Sequence, residues 1–389
     1  MLDRSGFLYD FVRTNEQREM VRELEKLRPL FKKREPLLDQ LNSLPKENID
    51  ALKGIGYHTL TLSKQFGGQG MGLYSFVLGQ ELIAKGSGAT ALSIGWHVGS
   101  LLEFSEKRHW NKNVTDWLLD KIKQGALINT ASTEKGAGSP MRGALPGTTA
   151  TQSGDHWVIS GKKSYTSLAP LIDYFFVTAT IEKSQEIATF VVPRETTGVS
   201  ILKTWDSVGM RGTASHDLVM DKVVIPKDFI LKRHDKKSKP WTPGWQLHIP
   251  ACYIGIAGAA RDEAVEFAAS YTPASLGKPI GSMPNIQQEI GEMDIQLLSA
   301  RQVLYHAAQS YEESNDKEQL RALLSSAKVT VTNAAIDIVD KAMRIVGPQA
   351  MSQKNPMQRY YLDVRMGLHN PPMEDMVKKT FGEQAIKTI

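Results

Sequence analysis

The chain has 389 residues, 41% of them hydrophobic and 23% charged, which is an ordinary composition for a globular protein of two or three domains. Its formal net charge of +5 comes from basic residues spread along the chain, which argues against nucleic-acid binding and would suit a ligand that carries phosphate. One cysteine excludes an intramolecular disulfide. We expect a cytoplasmic protein without a membrane span, because neither a secretory signal nor a run of 18 apolar residues is visible.

Helices are predicted for the N-terminal region, residues 15–126. The stretch EQREMVRELEKLRPLFKKREPLLDQL repeats leucine at spacings of three and four, and YSFVLGQELIAKG ends in glycine, as helices often do. Between them, the glycine-rich residues 63–72 lack the Gly-Lys-Ser/Thr ending of a phosphate-binding loop and follow no clear strand. They are therefore predicted to form a connecting loop.

The middle region, residues 127–225, has the composition of a β-domain. Short segments rich in Val, Ile, Thr and aromatic residues follow one another without intervening helices, which predicts a barrel or sandwich and disfavours a doubly wound sheet. The segments are HWVISGKKSYTS, DYFFVTATI, IATFVVP, GVSILKTW and SHDLVMDKVVIP. The basic stretch 226–244 that follows is predicted to be a solvated connector, with an anion-binding surface as the alternative.

The C-terminal region is predicted to be an antiparallel four-helix bundle. One helix carries an apolar stripe from Ile286 to Leu304, and the next, opening with Asn315 and Glu318 as a capping pair, carries one from Leu320 to Ile345. Cys252 lies in an apolar run and is predicted to be buried. The predicted domains are residues 1–126, 127–240 and 241–389, and spare apolar surface on the bundle predicts a homodimer or homotetramer.

The segment TASTEKGAGSP, residues 130–140, is the strongest candidate for ligand binding. Its small hydroxyl residues and glycines would let backbone N–H groups approach a ligand closely. No metal site is predicted, because no histidine stands near another histidine or a cysteine at ligand spacing. The Gly-x-Ser-x-Gly element of many hydrolases is also absent.

In the order of its pieces the chain resembles the acyl-CoA dehydrogenase family over nearly its whole length. SKQFGGQGMG is similar to a Gly-Gly-x-Gly segment of that family, and TASTEKGAGS to its Thr-Glu-x-Gly-Ala-Gly-Ser motif, with Lys135 in place of the usual proline. ISGKKSYTS is similar to the family's Gly-x-Lys-x-Trp-Ile-Thr/Ser strand, and the stretch beginning DSVGMRGTAS to its Gly-Met-Arg segment. The resemblance implies an N-terminal helical domain, a middle β-domain, a C-terminal four-helix bundle and an FAD cofactor.

The resemblance also implies cofactor contacts at particular positions. Tyr165 replaces the family's tryptophan beside the isoalloxazine ring, and Ser167 would meet the polar edge of that ring. Ser139 would contact both the flavin and the pantetheine part of a thioester. The implied cofactor contacts are Thr133, Gly138, Ser139, Tyr165, Thr166, Ser167 and Gly347.

The chain departs from the family pattern in its C-terminal half. An arginine that reaches the flavin of a neighbouring subunit is replaced by Pro273, and a glutamine that follows it by Pro284. Of the Gln-x-x-Gly-Gly element only Gly347 is kept. Each lost charge-assisted hydrogen bond is worth roughly 1.5–3 kcal/mol, so the departures predict looser binding of the distal part of FAD.

The family's proton-abstracting glutamate is missing from both positions at which the family carries it. Ungapped alignment puts Pro371 at the first position and His248 at the second, and His248 is also a candidate substrate-binding residue. The stretch GLHNPPMED, residues 367–375, breaks a helix and also forms the implied pocket wall, so Glu374 and His369 become the candidate catalytic residues. Asp375 and His97 are further candidates, although His97 is better explained as a core or capping residue.

Three functions remain open from the sequence. The first is FAD-dependent α,β-dehydrogenation of an acyl-CoA in fatty acid metabolism, with electrons passed to an electron-transfer flavoprotein. The second is a monooxygenase of the same fold that takes reduced flavin from a partner reductase, as the histidines and lost FAD contacts would suit. The third is a catalytically silent protein that binds flavin or acyl-CoA, as the missing glutamate would suit.

Overall fold

The computed structural model of the chain describes residues 5–40, 43–107, 110–136, 145–234 and 243–387. Within these ranges a group of helices is followed by a sheet and then by a second group of helices. The helices are α1 (Asn15–Leu38), α2 (Lys46–Gly54), α3 (Leu73–Gly86), α4 (Gly88–Lys107), α5 (Lys112–Lys123), α6 (His248–Ser270), α7 (Pro284–Glu313), α8 (Arg321–Val346), α9 (Pro356–Arg365) and α10 (Glu374–Lys387). The strands are β1 (Ile128–Ala131), β2 (Thr149–Ser153), β3 (His156–Thr166), β4 (Tyr174–Ile181), β5 (Glu186–Pro193), β6 (Val199–Leu202), β7 (His216–Pro226) and β8 (Ile230–Arg233).

The N-terminal helices pack around α3. Helix α1 begins where the Thr14 side chain accepts a hydrogen bond from the Gln17 backbone and the Gln17 side chain accepts one from the Thr14 backbone, a reciprocal cap. Every residue of α3 is buried, because α3 lies between α1 on one side and α6 of the C-terminal group on the other. As predicted, the glycine-rich residues 63–72 connect the helices, apart from a short 3-10 turn at Lys64–Phe66.

The middle region forms one eight-stranded sheet. Its strand order is β6-β7-β3-β2-β4-β5-β8, and β1 pairs with β4. The five predicted segments correspond to β3 through β7, so these strands are confirmed. Most pairs are antiparallel, but β1 and β2 both run parallel to β4, which the succession of strands along the chain did not indicate.

The prediction of a simple connector over residues 226–244 is wrong in part. Residues Ile230–Arg233 form β8, which pairs antiparallel with β5 at the edge of the sheet. Only Leu231 of this strand is buried, so the strand lacks the apolar pattern from which strands are predicted. The most basic part of the stretch, residues 235–242, lies outside the described residues.

The C-terminal helices form the predicted bundle, in which α8 packs against α6, α7 and α9. Leu297 and Leu304 on α7 and Leu324 and Ile338 on α8 are buried, so both apolar stripes face the core. The predicted capping pair is wrong. The Asp316 side chain, one residue beyond Asn315, accepts the hydrogen bond from the Glu318 backbone N–H.

One helical stretch among the described residues, Glu318–Met351, is long and apolar enough to cross a membrane by length and composition. Half of its most apolar window is buried inside the protein. Since α8 makes up most of this stretch and is the helix that contacts α6, α7 and α9, its apolar character matches a position inside the bundle. Cys252, on α6, is fully buried as predicted.

A buried ion pair joins the first group of helices to the second. The Glu81 carboxylate on α3 accepts a hydrogen bond of 2.7 Å from Arg301 Nε on α7 and one of 2.8 Å from Tyr305 Oη. Both charged side chains are almost completely excluded from solvent. A buried charge that loses its partner is strongly destabilising, so this pair fixes how α7 lies on α3.

Replacing Arg301 tests that dependence. We expect Arg301→Met to lower the free energy of unfolding by about 3–5 kcal/mol, because Glu81 would remain as a buried carboxylate without a cationic partner. Urea unfolding followed by circular dichroism measures this change. The matched control is Lys26→Met, which removes a pair with Glu23 that is exposed on both sides and should leave the curve unchanged. Identical urea-unfolding curves for Arg301→Met and the wild type would show that the Glu81–Arg301 pair does not stabilise the packing of α7 on α3.

Candidate active site

An irregularity in β3 exposes one aromatic side chain. The pairing of β3 with β7 shifts register between Lys163 and Thr166, so that Ser164 and Tyr165 bulge out of the ladder. Tyr165 has a φ of 59°, a conformation that a bulky residue adopts only at a cost, and 56% of it is exposed. Its ring meets the edge of Trp205 at a centroid distance of 6.3 Å, which leaves an aromatic face open to a ligand.

Hydroxyl groups line the sheet beside this bulge. Ser167 Oγ lies 2.9 Å from Ser215 Oγ, which lies 2.8 Å from Thr213 Oγ1. At the end of β3, Thr166 Oγ1 and Ser164 Oγ are buried and have no hydrogen-bond partner among the described residues. Buried polar atoms rarely stay unpaired, so these hydroxyls fit a ligand with a polar edge, as the isoalloxazine ring of a flavin has.

Thr133 is brought to the bulge by the backbone. The backbone N–H of Ser164 donates to the carbonyl oxygen of Thr133 over 2.8 Å. The predicted contacts Thr133, Tyr165, Thr166 and Ser167 are therefore close together along one strand end. The other two contacts predicted from this motif, Gly138 and Ser139, lie outside the described residues.

Glu134 anchors the candidate loop, a role that the motif comparison missed. Its carboxylate accepts hydrogen bonds from Lys163 Nζ at 2.6 Å, from Thr148 Oγ1 at 2.7 Å and from the Gly147 N–H at 2.7 Å. Burial raises the pKa of Glu134, but the hydrogen bonds from Lys163 and Thr148 outweigh it, so the pKa is lowered on balance. The ionised carboxylate thus ties β3 to both described ends of the segment that contains the predicted loop.

His248 lies at the start of α6 inside an aromatic box. Its ring stacks on Phe76 and Trp245 at centroid distances of 5.7 and 5.8 Å and meets the Trp96 ring edge-on at 4.8 Å. Nδ1 is 2.8 Å from the carbonyl oxygen of Trp245, and a carbonyl only accepts, so Nδ1 carries the proton. Nε2 is then an acceptor, buried without a partner among the described residues. Burial lowers the pKa of His248 to about 4, so the ring is neutral near pH 7.

His97 is occupied by structural contacts. Its Nε2 donates to the carbonyl oxygen of His58 over 2.8 Å, and its Nδ1 accepts from the backbone N–H of Ile128 over 3.0 Å. Burial lowers its pKa to about 3. Both ring nitrogens thus join the N-terminal helices to β1, which agrees with the core role expected from the sequence.

The residues after α9 are held by the bundle. Lys328 Nζ, on α8, donates to the carbonyl oxygen of Gly367 over 3.0 Å, and Tyr253 Oη, on α6, donates to Asn370 Oδ1 over 2.5 Å. His369, between these two anchored positions, is exposed. Lys328 had no role in the sequence interpretation, although a lysine in the apolar stripe of a bundle helix was a visible signal.

Glu374 and Asp375 are the first residues of α10, the helix that follows this segment. The Glu374 carboxylate forms an ion pair with Lys378, and that hydrogen bond is the largest cause of its lowered pKa. Asp375 is exposed. Glu374 is therefore an ionised carboxylate beside the predicted pocket wall, but it already has a cationic partner.

A backbone contact brings the sheet and the C-terminal segment together. The N–H of Met210, which lies in the loop before β7, donates to the Asp363 carboxylate of α9 over 2.5 Å. The Met210 carbonyl oxygen in turn accepts from Thr213 Oγ1 at 2.9 Å. These contacts join the loop before β7, which carries Thr213, to the helix that immediately precedes the segment 366–370.

Two predicted features lie elsewhere. Gly347 follows the end of α8 with a φ of 67°, and Pro273 and Pro284 lie at the ends of the connection between α6 and α7. Among the described residues no group of three or more His, Cys, Asp or Glu side chains is arranged to hold a metal ion. The structure therefore brings together the predicted flavin contacts Thr133, Tyr165, Thr166 and Ser167, whereas Gly347 lies at the end of α8 in the bundle.

The chain matches three family models in order along its length. They are described as the acyl-CoA dehydrogenase N-terminal domain over residues 14–107, the middle domain over 129–223 and the C-terminal domain over 246–368. It is 42% identical to the Bacillus subtilis (strain 168) protein YdbM, which is named after the acyl-CoA dehydrogenases, over 97% of this chain and 99% of that one. It is 27% identical to the caffeyl-CoA reductase-Etf complex subunit CarC of Acetobacterium woodii, over 90% and 93%.

Among solved structures, the chain is similar to TdsC from Paenibacillus sp. A11-2 in a complex with FMN and indole. The TM-score is 0.85 and the sequence identity 24%, with 95% of this chain and 98% of that chain covered. At this identity the comparison establishes the fold.

The neutral state of His248 can be tested through pH. Its pKa is lowered to about 4 from an ordinary 6.5, so the stability that the neutral ring contributes is complete above pH 6.5 and is lost as the pH falls towards 4. Between pH 6.5 and 4 we expect the free energy of unfolding of His248→Phe to change less with pH than that of the wild type, by up to about 1.4 kcal/mol per pH unit. Replacing the exposed His306 with asparagine is the control. Parallel curves for His248→Phe and the wild type would rule out a buried neutral ring.

Proposed function

Because the chain belongs to the acyl-CoA dehydrogenase family, we propose that it dehydrogenates an acyl-CoA thioester between Cα and Cβ and passes the electrons to an electron-transfer flavoprotein. Members of this family are flavin-dependent oxidoreductases that act on CH–CH groups, and the predicted family and fold are confirmed. The observation that carries the proposal is the hydrogen bond from Met210 to Asp363, which joins the loop that carries Thr213, one of the hydroxyl residues beside Tyr165, to the helix that precedes the segment 366–370.

The cofactor is a flavin, and the residues at the end of β3 fit it. The open face of Tyr165 would stack on the isoalloxazine, while Thr133, Thr166 and Ser167 would meet its polar edge. Gly138 and Ser139 would complete the loop around the flavin and thioester. When bound, the flavin would accept a hydride from the β-carbon of the substrate.

FAD is the form of flavin that we propose, although the distal contacts of the family pattern are altered. Pro273 and Pro284 cannot supply the charge-assisted and amide hydrogen bonds of the residues they replace, and Gly347 alone remains of its element. The adenosine half of FAD would therefore be bound less tightly than the flavin half. Chromatography of the flavin released from purified protein distinguishes FAD from FMN.

The chain must also supply a proton acceptor. Glu374 remains our proposal, because it is a carboxylate held ionised at the end of the pocket wall, and its pair with Lys378 would have to open when substrate binds. His369 is exposed between two anchored residues and would orient the wall. His248, whose Nε2 has no hydrogen-bond partner among the described residues, would contact the substrate from inside its aromatic box.

A second candidate function is oxygenation with reduced flavin supplied by a reductase. The observations that favour it are the loss of FAD contacts at Pro273 and Pro284 and the candidate histidines His248 and His369. A protein that binds flavin or acyl-CoA without catalysing a reaction is favoured instead by Pro371, which leaves the family's carboxylate position without an acid or base. We propose the soluble cytoplasm as its location and a homodimer or homotetramer as its assembly.

An anaerobic titration separates these functions. We expect the purified protein to bind FAD from solution and the bound flavin to be bleached by acyl-CoAs of at least one chain length, since hydride transfer reduces it. Absorption spectra recorded as acyl-CoAs of increasing length are added provide the measurement. If the titration shows no bleaching, and a separate aerobic assay shows oxygen consumption that needs a flavin reductase, the oxygenase would be favoured. Flavin binding with neither response would leave a silent binding protein.

The proton acceptor is tested by paired substitutions. We expect Glu374→Gln to bind flavin normally and to slow flavin reduction by at least about a hundredfold, as loss of a general base does. His369→Ala should have a smaller effect. Stopped-flow absorption measures both rates. If His369→Ala or His248→Ala abolishes turnover while Glu374→Gln reacts normally, the carboxylate is not the proton acceptor.

A further inference from the structure

The buried ammonium group of Lys328 makes an unusual contact for a helix in the core of a bundle. Only 2% of Lys328 is exposed, and its Nζ donates to the carbonyl oxygen of Gly367 over 3.0 Å. An ammonium group has three N–H donors, and burying its charge is costly. Burial lowers the pKa of Lys328 to about 8, and the nearby Glu374 carboxylate opposes that shift. A methionine would fill similar space without this cost, so packing alone does not explain a lysine here.

The segment that Lys328 holds is closely packed on both sides. A Cβ atom added at Gly367 would lie 2.6 Å from Thr332 Cγ2 on α8 and 2.8 Å from Tyr253 Cδ2 on α6, so a side chain at this position would clash. The backbone N–H of Asn370 donates to the same Gly367 carbonyl, and its side chain accepts from Tyr253 Oη. The Gly367 carbonyl oxygen thus accepts hydrogen bonds from Lys328 and from Asn370, the residue after His369.

We propose that Lys328 is a positioning residue of the proposed reaction: through the carbonyl of Gly367, its ammonium group fixes the backbone of residues 367–370 and so places the pocket wall. This inference rests on the proposed function, in which that wall adjoins the substrate. Tyr253 holds the far end of the same turn at Asn370. Lys328 and Tyr253 thereby act as two anchors, and His369 and the start of α10 take their positions from them.

The test uses the flavin-bound protein and two readouts. Hydrogen exchange of residues 366–370 reports the position of the turn without requiring activity, and flavin reduction by acyl-CoA reports the reaction. We expect Lys328→Met to speed exchange at Asn370 by about tenfold, since a charge-assisted hydrogen bond is lost. We also expect flavin reduction to slow by at least about tenfold, with flavin affinity unchanged and kcat more affected than KM. Lys328→Arg, which retains charged donors, should recover part of both effects.

The matched control is Lys341→Met on the same helix, whose lysine is partly exposed and pairs with Glu292 on α7. It should change neither readout. If Lys328→Met fails to fold, Lys328→Gln takes its place. Unchanged exchange at 366–370, faster exchange spread along the whole of α8, or a normal reduction rate beside faster local exchange would each overturn the positioning role. If no acyl-CoA reduces the flavin of the wild-type protein, the proposed function is refuted. Hydrogen exchange would then still show whether Lys328 fixes the backbone of residues 367–370.

Discussion

The site depends on one buried contact, the hydrogen bond from the Met210 N–H to the Asp363 carboxylate. It fastens the loop before β7 to α9, and the loop lies so close that a Cβ on Gly209 would be 2.5 Å from the Leu362 carbonyl oxygen. Asp363 shares its buried surroundings with Glu35, which pairs with Arg359 at 3.0 Å. Two carboxylates face one guanidinium group there, and burial, followed by the charge of Glu35, raises the pKa of Asp363 to about 7.

The polar groups of the candidate site follow from this junction. On the sheet side, neutral hydroxyl groups beside Tyr165 leave hydrogen-bonding capacity for a flavin. On the bundle side, Lys328 holds the backbone of the proposed pocket wall at Gly367, and Tyr253 holds the side chain of Asn370. Both groups of side chains are buried, and buried polar groups that are only partly satisfied are costly. Polar groups at these buried positions fit a region that is organised to bind a ligand as well as to be stable.

The sequence predicted those features that are determined by neighbours along the chain. The strands β3 to β7 and the stripes of α7 and α8 have local periodicity, and the motif around Tyr165 has a recognisable order. The edge strand β8 was missed because only one of its residues is buried. The bulge at Tyr165 depends on pairing with β7, a distant segment, and the contact of Lys328 with Gly367 spans 39 positions along the chain. Such features depend on tertiary contacts, although a lysine within an apolar stripe was a sign of one.

The most direct test of the central claim is a crystal structure of the flavin complex with a non-reactive acyl-CoA analogue. The claim is that the Tyr165 strand end and the segment 366–370 enclose one substrate site. We expect the flavin ring to lie against Tyr165 and the acyl α-carbon to lie beside residues 367–374, with a proton acceptor within about 3 Å of that carbon or one water away. An analogue bound elsewhere, with this segment facing solvent and the Lys328 contact unchanged, would contradict it.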